Sequence, residues 1–155
     1  MTLAERLRHK LFHFYFLLVR PMTLGTRVIL FDTEGRVGLV RHTYVAGWHL
    51  PGGGVDRGET VGDAAARELR EELGQEPTAP LQLLGVYYNT AASVRDHVLL
   101  YRCDAAREIA GFAFDRMEIA EIGFFAPDAL PEATTAATRR RIREVVQGGP
   151  FDTMW

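Results

Sequence analysis

One cysteine (Cys103), one serine (Ser93) and one lysine (Lys10) stand among 155 residues. A lone thiol forms no intrachain disulfide, and a chain of this length needs none, since folding buries well over half of its unfolded surface. It points to a reducing compartment, the cytoplasm. Ser93 lies in the run AASVR without the G-x-S-x-G elbow of acyl transferases. Cys103 follows His97 at mid-strand and reads as a core thiol. The 5 histidines lack zinc-site spacing; His9 and His13 share a helix face, but a single pair is not a site. No G-K-[ST] follows the PGGG run at residues 51–54, so it is not a P-loop. Charge of one sign is also lacking. The 18 Lys and Arg and 20 Asp and Glu give a net charge of −2, spread along the chain, which excludes a basic field for a long nucleic acid. The one basic run, Arg139 to Arg141 with Arg143, reads as a solvated helix face.

Long apolar runs are missing as well. The longest, residues 11–19, is too short to span a bilayer, and Arg20, Pro21 and Met22 stand where a signal peptide would place small residues. Leu3, Leu7, Leu11, Phe14 and Leu18 recur at helical spacing, and Phe12, Phe16 and Val19 add a second stripe. Residues 1–20 therefore form an amphipathic helix, buried on two sides by the pattern of its stripes. Three roles are open to it: packing on its own domain, a homodimer contact, or contact with a membrane surface.

Residues 21–155 read as one domain, without repeat or linker. Segments 24–31 and 37–41 read as strands, joined most simply as a hairpin through the turn at 32–35. A short extended piece at 48–50 leads into the glycine loop. Thr60 caps a helix that runs to Leu73 and stops at Gly74, with Pro77 beyond. Further strands fall at 81–88, 97–103 and 119–125, and a last helix at 134–146. This order implies an α/β fold, a mixed central sheet covered by helices on both faces. The tail after Pro150 is loose unless Trp155 finds a pocket.

The informative stretch is GGVDRGETVGDAAARELREELGQ, residues 53–75. On a helix, Glu68, Glu71 and Glu72 fall within about 100° of one another. Val61, Ala65, Leu69 and Leu73 form the adjoining core stripe, which places the acids at the rim of a cleft. Like charges about 6 Å apart repel by about 2–3 kcal/mol at an effective dielectric near 20. A hard divalent ion relieves this with oxygen ligands, sharing its shell with water and phosphate. An Arg67–Glu71 pair at i,i+4 would neutralise only one of the acids.

The same residues resemble the Nudix box, G-x5-E-x7-R-E-U-x-E-E-x-G-U with U apolar, here Gly53, Glu59, Arg67, Glu68, Leu69, Glu71, Glu72 and Gly74. Gln75 departs from the pattern at the last apolar position. The resemblance implies a Nudix-type α/β/α sandwich and Mg2+-dependent hydrolysis (or Mn2+-dependent) of a nucleoside diphosphate linked to another group X. It implies that Glu68, Glu71, Glu72 and the Gly53 carbonyl bind the metal, that Arg67 orients Glu68, and that Glu59 holds the loop to the helix. For the general base, Glu118 in an irregular stretch is favoured, with Glu68 its competitor and Glu121 a further candidate. Arg27 and Arg41 are candidate phosphate contacts, and Tyr87, with Tyr88 and Asn89, a base contact. The partner is a small nucleotide. The alternative is a non-catalytic module of the same fold that senses a nucleotide or binds a protein, against which stands the retention of all four glutamates of the box.

Overall fold

The computed structural model describes residues 3–155, with side chains from Glu5 onward. Met1, Thr2 and the Leu3 side chain of the N-terminal segment lie outside the described residues. Helix α1 (Leu3–Val19) precedes strands β1 (Thr23–Leu30) and β2 (Val37–His42) and helix α2 (Val61–Leu73). Then come β3 (Gln75–Pro77), β4 (Gln82–Tyr88), β5 (Asp96–Cys103), β6 (Ala106–Glu108), β7 (Ile119–Phe125) and α3 (Ala136–Gln147).

The main sheet is mixed. β1 runs parallel to β5, which pairs antiparallel with β4. β2 and β7 form a second, antiparallel ribbon, and β3 and β6 a short third one. Alternation along β1 supplies both layers, because successive side chains leave a strand on opposite faces. Val28 and Leu30 join Ala65, Leu69 and Leu73 of α2, whereas Ile29 joins Ile142 and Val145 of α3. The expected α/β/α sandwich is thus present.

The expected hairpin is not. Beyond one bridge at Phe31 and Val37, β1 and β2 part. The free edge of β1 is taken instead by the glycine loop: Thr26 N–H donates to Gly53 O at 2.8 Å, Val28 N–H to Pro51 O at 2.9 Å and Val55 N–H to Leu24 O at 3.0 Å. Asp32 turns the chain away by accepting the N–H groups of Glu34 and Arg36.

Both later helices begin and end at the expected chemistry. The Thr60 hydroxyl accepts Asp63 N–H, and Gly74 closes α2 at φ 64°, where a Cβ would lie 2.3 Å from the Phe112 ring. Gln75, polar at the last position of the box, pairs with Glu108 at the start of β3. Thr135 and Gly148 bound α3 in the same way. Trp155 does find a pocket, edge-on to Tyr87, with its N–H on Tyr88 O.

The two-sided burial expected of α1 is not seen within this chain. Leu11, Phe14 and Leu18 are 61%, 62% and 65% exposed, so the body does not cover their stripe. Among the described residues, no helix is long and apolar enough to cross a membrane.

Candidate active site

α2 brings its acids to one end of the glycine loop. Glu68 and Glu72 are buried, deeper than the expected rim, whereas the Glu71 side chain is 59% exposed. All three occupy the last two turns, where the negative end of the helix dipole disfavours further anions. With Arg67, Glu118 and Asp115 they line a cavity of about 530 Å3.

Glu72 is the least compensated. Its Oε2 accepts Gly52 N–H at 2.8 Å, and its Oε1 lies 3.5 Å from His42 Nε2. The second contact is not an ion pair, since burial, with Arg27 and His49 nearby, holds the imidazole below its usual pKa. Burial first, then repulsion from Glu68 and Glu118, pushes the Glu72 carboxyl up to about 8, against the opposing Gly52 hydrogen bond and Arg27. Burial also raises Glu68, although Arg67 opposes it. A desolvated carboxylate without its own cation favours any external cation that can reach it.

Arg67 organises the helix face. Its guanidinium donates to Glu59 (2.9 and 3.2 Å), Glu68 (2.7 Å), Glu71 (3.2 Å) and Gly54 O (3.1 Å). Glu59 also accepts Asp56 N–H at 2.7 Å, so the loop is fastened to the helix through this pair. The Arg67–Glu71 contact therefore exists, but as one arm of a network. Glu68 closes on Gly53, where a Cβ would lie 2.4 Å from Glu68 Oε1 and displace the carboxyl group. Its carbonyl, the expected metal ligand, already accepts Thr26 N–H and retains a second lone pair. Among the described residues, no three acidic, imidazole or thiol side chains converge on one point in this arrangement. Arg67 holds Glu68 and Glu71 by one oxygen each. The set is nonetheless chemically suited to a hard cation, being two buried carboxyl groups, an exposed one and a carbonyl, all oxygen donors.

Glu118 immediately precedes β7. Register shifts between Arg41 and His42, which face Glu121 and Ile119, so that Ala120 is unpaired. Such bulges re-aim neighbouring side chains. Thr43 fixes the turn, its N–H on Glu118 O and its hydroxyl on Met117 O. Glu121 is instead ion-paired to Arg41 at 2.7 Å across the ribbon. Arg41 therefore has a carboxylate of its own, while Arg27 has not: its Nη1 is buried without a hydrogen-bond partner, and its charge lowers the pKa of Glu68 and Glu72.

Tyr87 is corrected outright. It is fully buried on the α3 side, its hydroxyl 3.3 Å from Glu144 and its ring under the Arg141 guanidinium, so no base can stack on it. The strand parity that fills this cluster from β4 points it away from α2. Tyr88 stacks on His97, and Asn89 donates to Asp96. Sequence reasoning missed His42, Asp115 and Phe112. His42 ends a strand whose far partner is not readable, and Asp115 and Phe112 lie in a loop of local turns, in which the Asp115 side chain accepts Met117 N–H and its backbone carbonyl accepts the N–H groups of Glu118 and Ile119.

A sequence model of the NUDIX domain matches residues 21–145. A Bacillus subtilis protein provisionally named 8-oxo-dGTP diphosphatase is 29% identical over 126 residues, covering 81% of each chain. An RNA pyrophosphohydrolase of Gluconobacter oxydans is 42% identical over 62 residues, a match spanning only 36% of either chain. Among solved structures, a MutT NUDIX hydrolase from Burkholderia pseudomallei aligns with TM-score 0.67 and 29% identity over 79% of this chain and 97% of that one. With the box on α2, the carboxylate cavity at its end and a match over most of the chain, the protein belongs to the Nudix hydrolase family and is an enzyme of the pyrophosphohydrolase type.

Proposed function

We propose that this enzyme hydrolyses the pyrophosphate bond of a small nucleotide, a nucleoside diphosphate linked to a group X, with Mg2+ or Mn2+ held by Glu68, Glu71, Glu72 and the Gly53 carbonyl. The observation that carries it is the burial of Glu72 beside Glu68 without a cation of its own. When bound, the ion would neutralise pyrophosphate oxygens and make water a better nucleophile. The chain's own residues do the remaining work. Arg67 holds Glu68 and Glu71 in place, and Glu59 keeps the glycine loop against the helix. Arg27, whose charge acts on Glu68 and Glu72 and which has no carboxylate partner of its own, is the candidate phosphate contact. Glu118, across the cavity, accepts the proton of the attacking water. Arg41, paired with Glu121, is at most a secondary phosphate contact.

The names of the relatives, an 8-oxo-dGTP diphosphatase, RNA pyrophosphohydrolases and an ADP-ribose pyrophosphatase from Methanocaldococcus jannaschii, share hydrolysis at a diphosphate and differ in what surrounds it. They support the bond cleaved and leave X to experiment. The test is a product assay over nucleoside triphosphates, dinucleotides and nucleotide sugars, each with Mg2+, Mn2+ or chelator. Metal-dependent release of a mononucleotide product is expected from at least one class. Tight nucleotide binding without turnover of any would favour the non-catalytic sensor, and absence of metal uptake by calorimetry, with or without nucleotide, would overturn the metal assignment.

A further inference from the structure

Helix α1 is an apolar surface without a cover. Leu7, Leu11, Phe14 and Leu18 fall within about 60° of one another at helical spacing, and each is more than half exposed. Arg8 and Lys10 lie on the two flanks of this stripe, where long side chains can keep their charge in water while their stems cover apolar surface. Towards the C-terminal end the polar face vanishes: Phe12, Tyr15, Leu17 and Val19 are exposed on the other sides, and Met22 continues the apolar surface past Pro21. An isolated helix of this kind is not stabilised by its own core, so it needs a partner.

Charge selects among partners. Residues 1–20 carry Arg6, Arg8, Lys10 and Arg20 against Glu5, a net charge of +3, whereas the whole chain is at −2, which leaves −5 on residues 21–155. Pairing α1 with α1 of a second copy would set +3 beside +3. An anionic lipid surface supplies the opposite charge and an apolar layer at once. We propose that α1 is an interfacial anchor, lying in the surface of an anionic bilayer with Leu11, Phe14 and Leu18 inserted and Arg8 and Lys10 at headgroup level, so that the hydrolase works beside a membrane. The helix does not cross, in keeping with its length and composition.

The test uses the full-length chain and flotation with vesicles of phosphatidylcholine alone or with phosphatidylglycerol added. At least about tenfold stronger partitioning to the anionic vesicles is expected, weakened by high salt. Phe14→Ser with Leu18→Ser should abolish flotation, and Arg8→Gln with Lys10→Gln should remove the preference for anionic lipid. Because α1 is not part of either core cluster, all variants should keep the melting temperature of the wild type and its hydrolysis in solution. Failure of the wild type to float, equal flotation with neutral vesicles, or flotation unaffected by the serine pair would each overturn the proposal. So would a lipid-free dimer by light scattering that the serine pair converts to monomer while vesicles leave the wild type in solution, since a second copy would then be the cover.

Discussion

The central sheet covers a buried ionisable side chain on each face, Arg141 on α3 and Glu72 on α2, and the chain treats them differently. Arg141 is fully buried, yet its charge is met by Glu144 at 2.8 Å and Met154 O at 2.7 Å, and it lies 4.4 Å from the centre of the Tyr87 ring and 5.7 Å from that of Trp155. Glu72 has one backbone N–H and a neutral imidazole. A buried ion costs several kcal/mol unless paired. The α3 face meets most of that cost within the fold, leaving only the Arg141 Nε unpartnered. The α2 face avoids it by holding Glu72 protonated up to about pH 8, and an external cation is what would favour release of that proton.

The comparison breaks first on Glu72→Gln. The amide keeps an acceptor for Gly52 N–H and removes only the charge, so turnover should fall at least about a hundredfold while the melting temperature holds or rises. Calorimetry should show metal affinity falling with it; a variant of normal activity would remove Glu72 from the metal set. Arg141→Met is the converse experiment on the other face. Stranding Glu144 and the Met154 carbonyl should cost about 3 kcal/mol of stability by urea denaturation, with specific activity of the folded fraction unchanged. Were activity lost at unchanged stability, the division between the faces would be wrong.

The two faces were also unequally legible. The α2 chemistry is local: Thr60, Gly74 and the spacing of Glu68, Glu71 and Glu72 are all decided within one helix, and the chain folds there as its residues suggest. The α3 face is assembled from distant pieces. Tyr87, Arg141 and Trp155 meet only because β4 presents Tyr87 to that layer and the tail returns beside Tyr88, so Tyr87 looked like a ligand contact and proved to be core. The hairpin failed for a similar reason, since nothing near β1 and β2 shows that residues 51–55 will take the open edge of β1. Glu118 was reachable from the irregular stretch before it, whereas the bulge that aims it depends on pairing with β2. The exposure of α1 had no local signal, because an uncovered stripe and a buried one have the same sequence pattern.

Adjacent glycines sharpen the contrast between fold and site. A Cβ at Gly52 would meet Thr26 O at 2.1 Å with φ at 144°, an obstruction by backbone, whereas at Gly53 it would meet only the mobile end of Glu68. Gly53→Ala should therefore fold nearly as the wild type but displace Glu68, lowering turnover about tenfold, or about 1.4 kcal/mol. Gly52→Ala should lose stability by about 1–3 kcal/mol, readable as a lowered denaturation midpoint. Equal behaviour of the two would mean that Glu68 is not held against Gly53 in solution.

The smallest effect lies on the α3 face and concerns protons. Burial, aided by Glu144, raises the Tyr87 phenol to about 12, against about 10 in an unfolded chain. Between those values the folded state retains a proton that the unfolded state has released, so stability is complete below pH ~10 and declines as pH rises towards ~12. Tyr87→Phe has no proton to lose. At neutral pH it should cost only about 1 kcal/mol, the value of one hydrogen bond to Glu144. As pH rises through that window its denaturation midpoint should reach and then pass that of the wild type, because the wild type alone loses the phenol's contribution, about 2.7 kcal/mol over two pH units. Parallel decline of both proteins would place the alkaline sensitivity elsewhere and leave Tyr87 as packing alone.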